Sequence, residues 1–395
     1  MNKIDPYSII EKLWPINRSL GGYGFRKSLK LIKLYIPALK IRNIPSGLKL
    51  GSWKVPLEWH VVRARLYNPN REKILDYFDN DLTLVSYSKS FKASISLSEL
   101  KKRIFSIPSI PNAIPYRTSY YKKDWGFCMS DKQKSSLQDG KYLVDIKTEF
   151  RKGNLNYGEL FLKGETKTEV IFSTYLCHPQ MVSNELSGPA LLTCLARFLL
   201  NKKKLHYSYR FLFSPETIGA IYILNKNLVH MQKNVLAGFI CTCLADKGDF
   251  SLVQSPNKLN YAEKMIRDTA KIMNVNLKLY EFLDRGSDER QYLSPAVNLP
   301  FCTLTRSKFG EYPEYHTHLD NFEITSRKNL SFSLLFLKTL VKNIESHRVP
   351  ISRHIGEPHY SRYGLRRKIG AGTLNINEKL VSDLVAYSNG SNNIE

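Results

Sequence analysis

One stretch limits what this chain can fold into more than any other. Residues 170–188 read V-I-F-S-T-Y-L-C-H-P-Q-M-V-S-N-E-L-S-G. The apolar, β-branched run at 170–176 predicts a strand buried on both faces. Pro179 cannot donate to a ladder, so the chain turns immediately after Cys177 and His178. A polar loop with Asn184, Glu185 and Ser187 follows, and residues 190–200 predict an apolar helix. A strand that ends in an imidazole and runs through carboxylates and amides into a helix is how an open α/β sheet presents its chemistry. For His178 alone, a structural histidine beside a helix cap is the blander reading.

The same plan recurs. Residues 207–213 (Y-S-Y-R-F-L-F) predict a second buried strand, ending in S-P-E-T-I-G and an apolar helix, so Glu216 reaches the same sheet edge as His178 if the strands are parallel. Further strands are predicted at 237–244 and 299–305, and helices at 261–273 and 329–344. Strands alternating with helices argue a doubly wound α/β sheet. Two more polar loops stand at 284–292 and 314–321. Together the four loops offer His178, Glu185, Glu216, Asp288, His316 and His318. These are imidazole and carboxylate donors of the kind zinc takes, and a catalytic zinc site keeps one position for water. Each residue is a weak signal alone.

Upstream, residues 6–13 and 25–36 predict amphipathic helices. From Trp53 the texture changes to short alternating strands broken by prolines and tyrosines. It includes a strand at 82–88, a helix at 96–104 opened by a Ser96–Glu99 capping box, and a strand at 141–150. This β-rich stretch suits a rigid platform that shapes a pocket. With 395 residues, 43% of them hydrophobic, the chain can bury two or three cores. No apolar run reaches bilayer length, no signal-peptide core opens the chain, and the six scattered cysteines fit reduced thiols, so a cytoplasmic protein is expected. The formal net charge of +24 favours anionic neighbours, but the basic residues are spread along the whole chain, which argues against a dedicated nucleic-acid surface.

In order along the chain, W-K-V-P-L-E-W, I-P-Y-R-T-S-Y-Y, W-G-F-C, C-H-P-Q-M-V-S-N-E-L-S-G-P, R-F-L-F-S-P-E-T-I-G, R-G-S-D-E-R-Q-Y and E-Y-H-T-H-L-D resemble the aminopeptidase-like proteins that nest a DUF2172 domain in a DUF4910 domain, within the M28-type zinc exopeptidases. The resemblance implies an M28-like α/β fold, a mixed sheet flanked by helices. Residues 1–52 and 151–348 would form the peptidase-like domain, 53–150 the nested β-rich domain, and 349–395 a linker and an incomplete winged-helix start. It implies Glu216 as the proton-shuttling base. As zinc ligands it implies His178, Asp288 and His316, with Asn184 where the family has an Asp bridging two metals. Thr217 stands where the pattern has a second Glu, and Thr242 stands near a further Asp position, so one zinc ion is expected rather than two. Glu185, Arg290, Tyr315 and His318 are expected to contact substrate. Two function classes follow. One is a zinc-dependent aminopeptidase acting on peptides or small amides, as a monomer or homo-oligomer. The other is a catalytically weakened binding or scaffold protein linked to surface-polysaccharide biosynthesis.

Overall fold

The computed structural model describes residues 4–257, 260–347, 352, 355–366 and 376–388. Two compact units are resolved, Met1–Leu340 and Val341–Glu395. The first is built on an eight-stranded sheet. In chain order its strands are β1 (Lys40–Pro45), β2 (Asn154–Leu162), β3 (Glu169–Tyr175), β4 (Ser208–Ser214), β5 (Val235–Cys241), β6 (Phe250–Val253), β7 (Leu277–Tyr280) and β8 (Phe301–Thr305). In space the order is β1-β2-β4-β3-β5-β8-β6-β7. The four central strands β4, β3, β5 and β8 are parallel neighbours. Pairings β1–β2, β2–β4 and β6–β8 are antiparallel, which makes the sheet mixed. Strand β3 lies at its centre with all seven residues buried. Phe172 stacks on Phe211 and Phe239 of the flanking strands, with ring centroids 5.5 and 5.1 Å apart. Burying each such ring stabilises the fold by roughly 1.5–3 kcal/mol, and this is what fixes the strand carrying His178.

Helices flank the sheet: α1 (Pro6–Leu13), α2 (Tyr23–Tyr35), α3 (Ser187–Leu200), α4 (Ile218–Asn234), α5 (Tyr261–Ile272) and α6 (Arg327–Ser346). Helix α3 packs on β3 and β4, and against α1 and α2. Its start must come very close to the sheet. A Cβ on Gly188 would collide with Thr174 and with the Cys241 carbonyl, so only glycine admits this approach. Asp5 caps α1 by accepting the Tyr7 N–H, with Pro6 as the first helical residue.

Residues 58–151 contribute no strand to the main sheet. Glu58–Tyr67, Lys73–Asp76, Phe91–Ser96 and Lys141–Arg151 form a separate antiparallel sheet of four strands. The Ser96 capping box is present, on the short helix Leu97–Lys101. The strand expected at 82–88 is absent. Asn80 instead caps a 3-10 turn at Asp81–Thr83, Tyr87 takes a left-handed φ of 67°, and the segment's strand-like pairing is limited to isolated bridges at Leu84 and Ser86. In the second unit the described residues include a 3-10 turn at Tyr360–Tyr363 and a helix at Ile376–Ala386. Much of the expected winged-helix start, including 367–375 and 389–395, lies outside the described residues. No described helix is long and apolar enough to cross a membrane.

Candidate functional site

His178 leaves the end of β3 with its backbone fixed on both sides. The Glu185 carboxylate accepts the N–H groups of Cys177 and His178, the latter at 2.8 Å. On the carbonyl side, the buried Arg18 guanidinium donates to the oxygens of His178 (3.0 Å), Gln180 (3.2 Å), Leu13 (2.6 Å) and Ile16 (3.0 Å). The loop returns through one π-helical turn, Val182–Leu186, directly into α3. That turn is pinned by Asp320, whose carboxylate accepts from the N–H groups of Ser183 (2.6 Å) and Asn184 (2.9 Å) and from the Tyr312 hydroxyl (2.9 Å). Neither Arg18 nor Asp320 is predicted from the sequence as a site residue. Both are buried and hydrogen-bonded to groups of distant loops, and only a known loop path reveals such partners.

The Glu185 carboxylate also lies 2.6 Å from His178 Nδ1. Burial opposes charge on this imidazole, but the Glu185 carboxylate, together with Cys177 and Tyr116 beside it, outweighs burial and holds the pKa well above the usual histidine range. With Nδ1 held by a carboxylate, Nε2 faces the cavity, 3.7 Å from Glu216 Oε2. This is the support that metal-binding histidines typically receive. It gives Glu185 a different place from the substrate contact expected of it, because it is buried behind His178. Cys177, His178 and Glu185 form a trio of buried potential metal donors. The Glu185 oxygens are already occupied, however, and burial pushes the Cys177 thiol up to about 12, so the trio serves to support His178.

Glu216 follows β4 in a strained turn. Thr217 has φ 65° and ψ −70°, and the Ile218 N–H donates to the Glu216 carbonyl at 2.7 Å. This is the rare γ-turn form that side-chain-bearing residues avoid. Asp288 Oδ1 holds it by accepting the Thr217 N–H at 2.7 Å. Asp288 arrives from the β7–β8 connection rather than from the end of a parallel strand. Burial, then the neighbouring Glu216, push its pKa well above the carboxylate range, and burial also raises Glu216.

His316, with φ 54°, completes the trio at the sheet edge. Its ring centroid lies 5.2 Å from that of His178, and it stacks on Tyr315 at 4.0 Å. Burial, then the charge on His178, push its pKa well below the usual range. Tyr116 meets both imidazoles edge-on, at 4.8 and 5.5 Å, and its N–H donates to the His316 carbonyl at 2.7 Å. Of the nine described non-glycine residues with positive φ, Gln180, Met181, Thr217, Cys243 and His316 belong to these loops, so backbone strain is concentrated where the side chains converge.

A cavity of about 520 Å³ opens here. His178, Glu216 and His316 line it from the sheet, and Trp53, Tyr116, Arg117, Thr118, Tyr120 and Tyr121 line it from the β-rich stretch. Of the other expected site residues, Asn184 and Asp288 are buried behind this lining, and Tyr315 backs His316. Arg290 is exposed and donates to the Ser287 carbonyl at 3.1 Å. His318 turns away, its Nδ1 accepting the Ile114 N–H at 3.0 Å.

The spacing of His178 and His316 fits one shared zinc ion. Two imidazoles on a tetrahedral zinc with ~2.0–2.1 Å bonds have centroids about 5 Å apart, close to the spacing of His178 and His316. Glu216 lies beside them, its Oε2 3.7 Å from His178 Nε2. At the positions a second ion would need, Asn184 Nδ2 donates to the Tyr175 hydroxyl at 3.3 Å and toward Cys243 Sγ. Thr242 Oγ1 bonds the Asn184 carbonyl at 2.7 Å and Tyr175 at 2.6 Å, and Thr217 contributes only its backbone N–H.

Comparison with known proteins agrees with this architecture. A Clostridium acetobutylicum protein described as a "putative polysaccharide biosynthesis protein with aminopeptidase-like domain" is 37% identical over 372 residues, 93% of this chain and 84% of its own length. A crystal structure of a candidate peptidase from Clostridium acetobutylicum superposes with a TM-score of 0.85 at 34% identity, covering 98% of this chain and 88% of that one. The zinc aminopeptidase BSAP from Bacillus subtilis shares the fold, with a TM-score of 0.61 at 14% identity over 86% of this chain and 94% of its own. The family "Domain of unknown function (DUF4910)" matches residues 7–347. The chain therefore belongs to the DUF4910 family, on a fold strongly similar to that of the M28 zinc aminopeptidases.

Proposed function

We propose that this chain is a peptidase-like binding protein linked to surface-polysaccharide biosynthesis, with hydrolytic power weakened or lost. One observation carries the reading. Where a two-zinc peptidase needs anionic donors, this chain has the neutral side chains of Asn184, Thr217 and Thr242; Asn184 Nδ2 and Thr242 Oγ1 are committed to internal hydrogen bonds, while Asn184 Oδ1 is buried without a partner. Neutral donors hold a divalent cation less firmly and do not offset its charge. The biosynthetic link rests on the name of the Clostridium acetobutylicum relative. The test pairs metal analysis after zinc loading with hydrolysis of a panel of aminoacyl amides. At most one zinc per chain and no turnover is expected. Two zinc ions per chain, or amide release that Glu216→Gln abolishes, overturns the proposal.

A second reading is supported by the pairing of Glu185 with His178, which leaves Nε2 presented to Glu216. Here one zinc would be held by His178 and His316, and when bound it would polarise the carbonyl of an N-terminal residue or small amide. Glu216, its carboxyl raised by burial, would take the proton of the attacking water and return it to the leaving amine. Tyr116, against both imidazoles, would keep them oriented and exclude water. In this case Glu216→Gln abolishes turnover with metal content nearly unchanged, whereas His316→Ala loses the metal.

A further inference from the structure

The mouth of the cavity carries a recognition surface that peptidase chemistry does not use. Trp53 and Tyr121 are 39% and 56% exposed, although both are large aromatic residues lining a cavity. They stand edge to face, with centroids 6.3 Å apart, and the Tyr121 hydroxyl is tied to the Lys54 carbonyl at 2.8 Å, so the rings are held rather than free. Fixed aromatic faces left open to water at a cavity mouth mark a ligand surface. Beside them is Arg117. Its guanidinium lies 4.0 Å over the Phe105 ring, which fixes its plane. Arg63, Arg65 and Arg103 of the same β-rich stretch each hold an aspartate, whereas Arg117 has no carboxylate partner among the described residues. Deeper in, the Tyr116 and Tyr120 hydroxyls lie 3.1 Å apart, and Thr118 adds a third hydroxyl to the lining.

Resting on the binding-protein reading above, we propose that this cavity takes an anionic saccharide, a sugar bearing a carboxylate or a phosphate. The C–H face of a pyranose ring is apolar and lies flat on an aromatic ring. Its hydroxyls match the tyrosine and threonine hydroxyls, which both donate and accept. A planar guanidinium takes a carboxylate or phosphate through two parallel hydrogen bonds. The three features belong to residues of the β-rich stretch that line the same cavity of about 520 Å³ as His178, Glu216 and His316.

The test is calorimetric titration of the full chain with four probes: a glucuronate-terminated disaccharide, a hexose 1-phosphate, a neutral disaccharide and a tripeptide. The expected result is that at least one anionic sugar binds roughly tenfold or more tighter than the neutral one, and the anion that binds identifies the source. Arg117→Gln should remove that preference while leaving the neutral sugar unchanged, Arg117→Lys should restore part of it, and Trp53→Ala should weaken both kinds of sugar. Tighter binding of the tripeptide than of any sugar, or an anionic preference untouched by Arg117→Gln, overturns the proposal. The same samples are assayed for amide hydrolysis. Turnover alongside the expected sugar binding would sink the binding-protein reading and leave the saccharide site standing, while inert protein without sugar binding would do the reverse.

Discussion

Replacing Glu185 by alanine should be among the most damaging single changes in the first unit. The substitution removes the acceptor for three buried donors: the N–H groups of Cys177 and His178, and His178 Nδ1. Each orphaned buried donor costs about 1–3 kcal/mol, so a loss of about 3–9 kcal/mol is expected against a typical total of about 5–15. The loss depends on pH with a defined sign. In the wild type, Glu185 holds the folded-state pKa of His178 above the ordinary value of 6.5. That contribution is fully present below pH ~6.5 and fades as pH rises through the folded value. In the variant the largest influence left is burial, which outranks what Cys177 and Tyr116 contribute, so the folded pKa drops and acid becomes destabilising. The gap between the two proteins is therefore widest below pH ~6.5 and narrows above it. Denaturant unfolding at several pH values, with unchanged m-values, measures the gap, and histidine-selective NMR titration reads the His178 pKa. Glu185→Gln should keep much of the stability but force the opposite imidazole tautomer, because its amide donates to Nδ1. A variant Glu185→Ala within about 1 kcal/mol of wild type, with the His178 titration unmoved, would refute this account.

Asn184→Asp buries a second carboxylate close to Asp320 and should cost about 1–3 kcal/mol without metal. Zinc should recover that loss and raise the bound stoichiometry, as read by melting with and without zinc. Arg18→Met leaves four carbonyl oxygens without their donor and should destabilise by about 3–5 kcal/mol in denaturant unfolding, with Arg18→Lys recovering only part. Burial raises Asp320 from 3.8 to about 6, so the folded state holds this proton more tightly than the unfolded chain. Its contribution to stability then falls by about 3 kcal/mol as pH rises from ~4 to ~6, a slope that Asp320→Asn should flatten. Thr217→Gly should raise the melting temperature while disturbing the cavity, seen as a changed His178 signal.

The parts of the fold legible in sequence are those written by local periodicity. The buried strand at 170–176 and the helix after it stand where their apolar pattern puts them. Strands β6 and β7 were not legible. They are four residues each, and β7 alternates weakly because at the sheet edge Leu277 is half-buried and Leu279 exposed. Residues 82–88 misled in the opposite sense, since alternating apolar residues bury well without forming a ladder when Asn80 and a left-handed Tyr87 bend the backbone. At the candidate site, His178, Glu216 and His316 were legible because each follows a predicted strand. Asp288 and Glu185 were legible as polar residues but not in their orientation, which depends on loops folding back. Glu185 is one residue past Asn184, yet the π turn aims it at the strand it came from. No spacing rule reports that.

The Glu216–Thr217–Ile218 turn ties these observations together. A threonine at φ 65° and ψ −70° costs on the order of 1–3 kcal/mol, which the surroundings must offset. They do so through contacts from three directions: Asp288 on the Thr217 N–H, the Pro215 carbonyl on the Gly219 N–H at 3.0 Å, and Cys177 Sγ beside the Glu216 N–H at 3.4 Å. The Thr217 hydroxyl contributes nothing to this arrangement that the backbone N–H does not. The strain therefore serves the neighbour, since the turn is what directs the Glu216 carboxylate toward His178 Nε2 at 3.7 Å. A strained backbone that aims one carboxylate at one imidazole, beside the neutral side chains of Asn184, Thr217 and Thr242, favours the proposed binding role over a two-metal centre. The physical requirement of such a site is orientation of a bound group. The aromatic wall contributed by residues 53–121 supplies the remainder of that orientation.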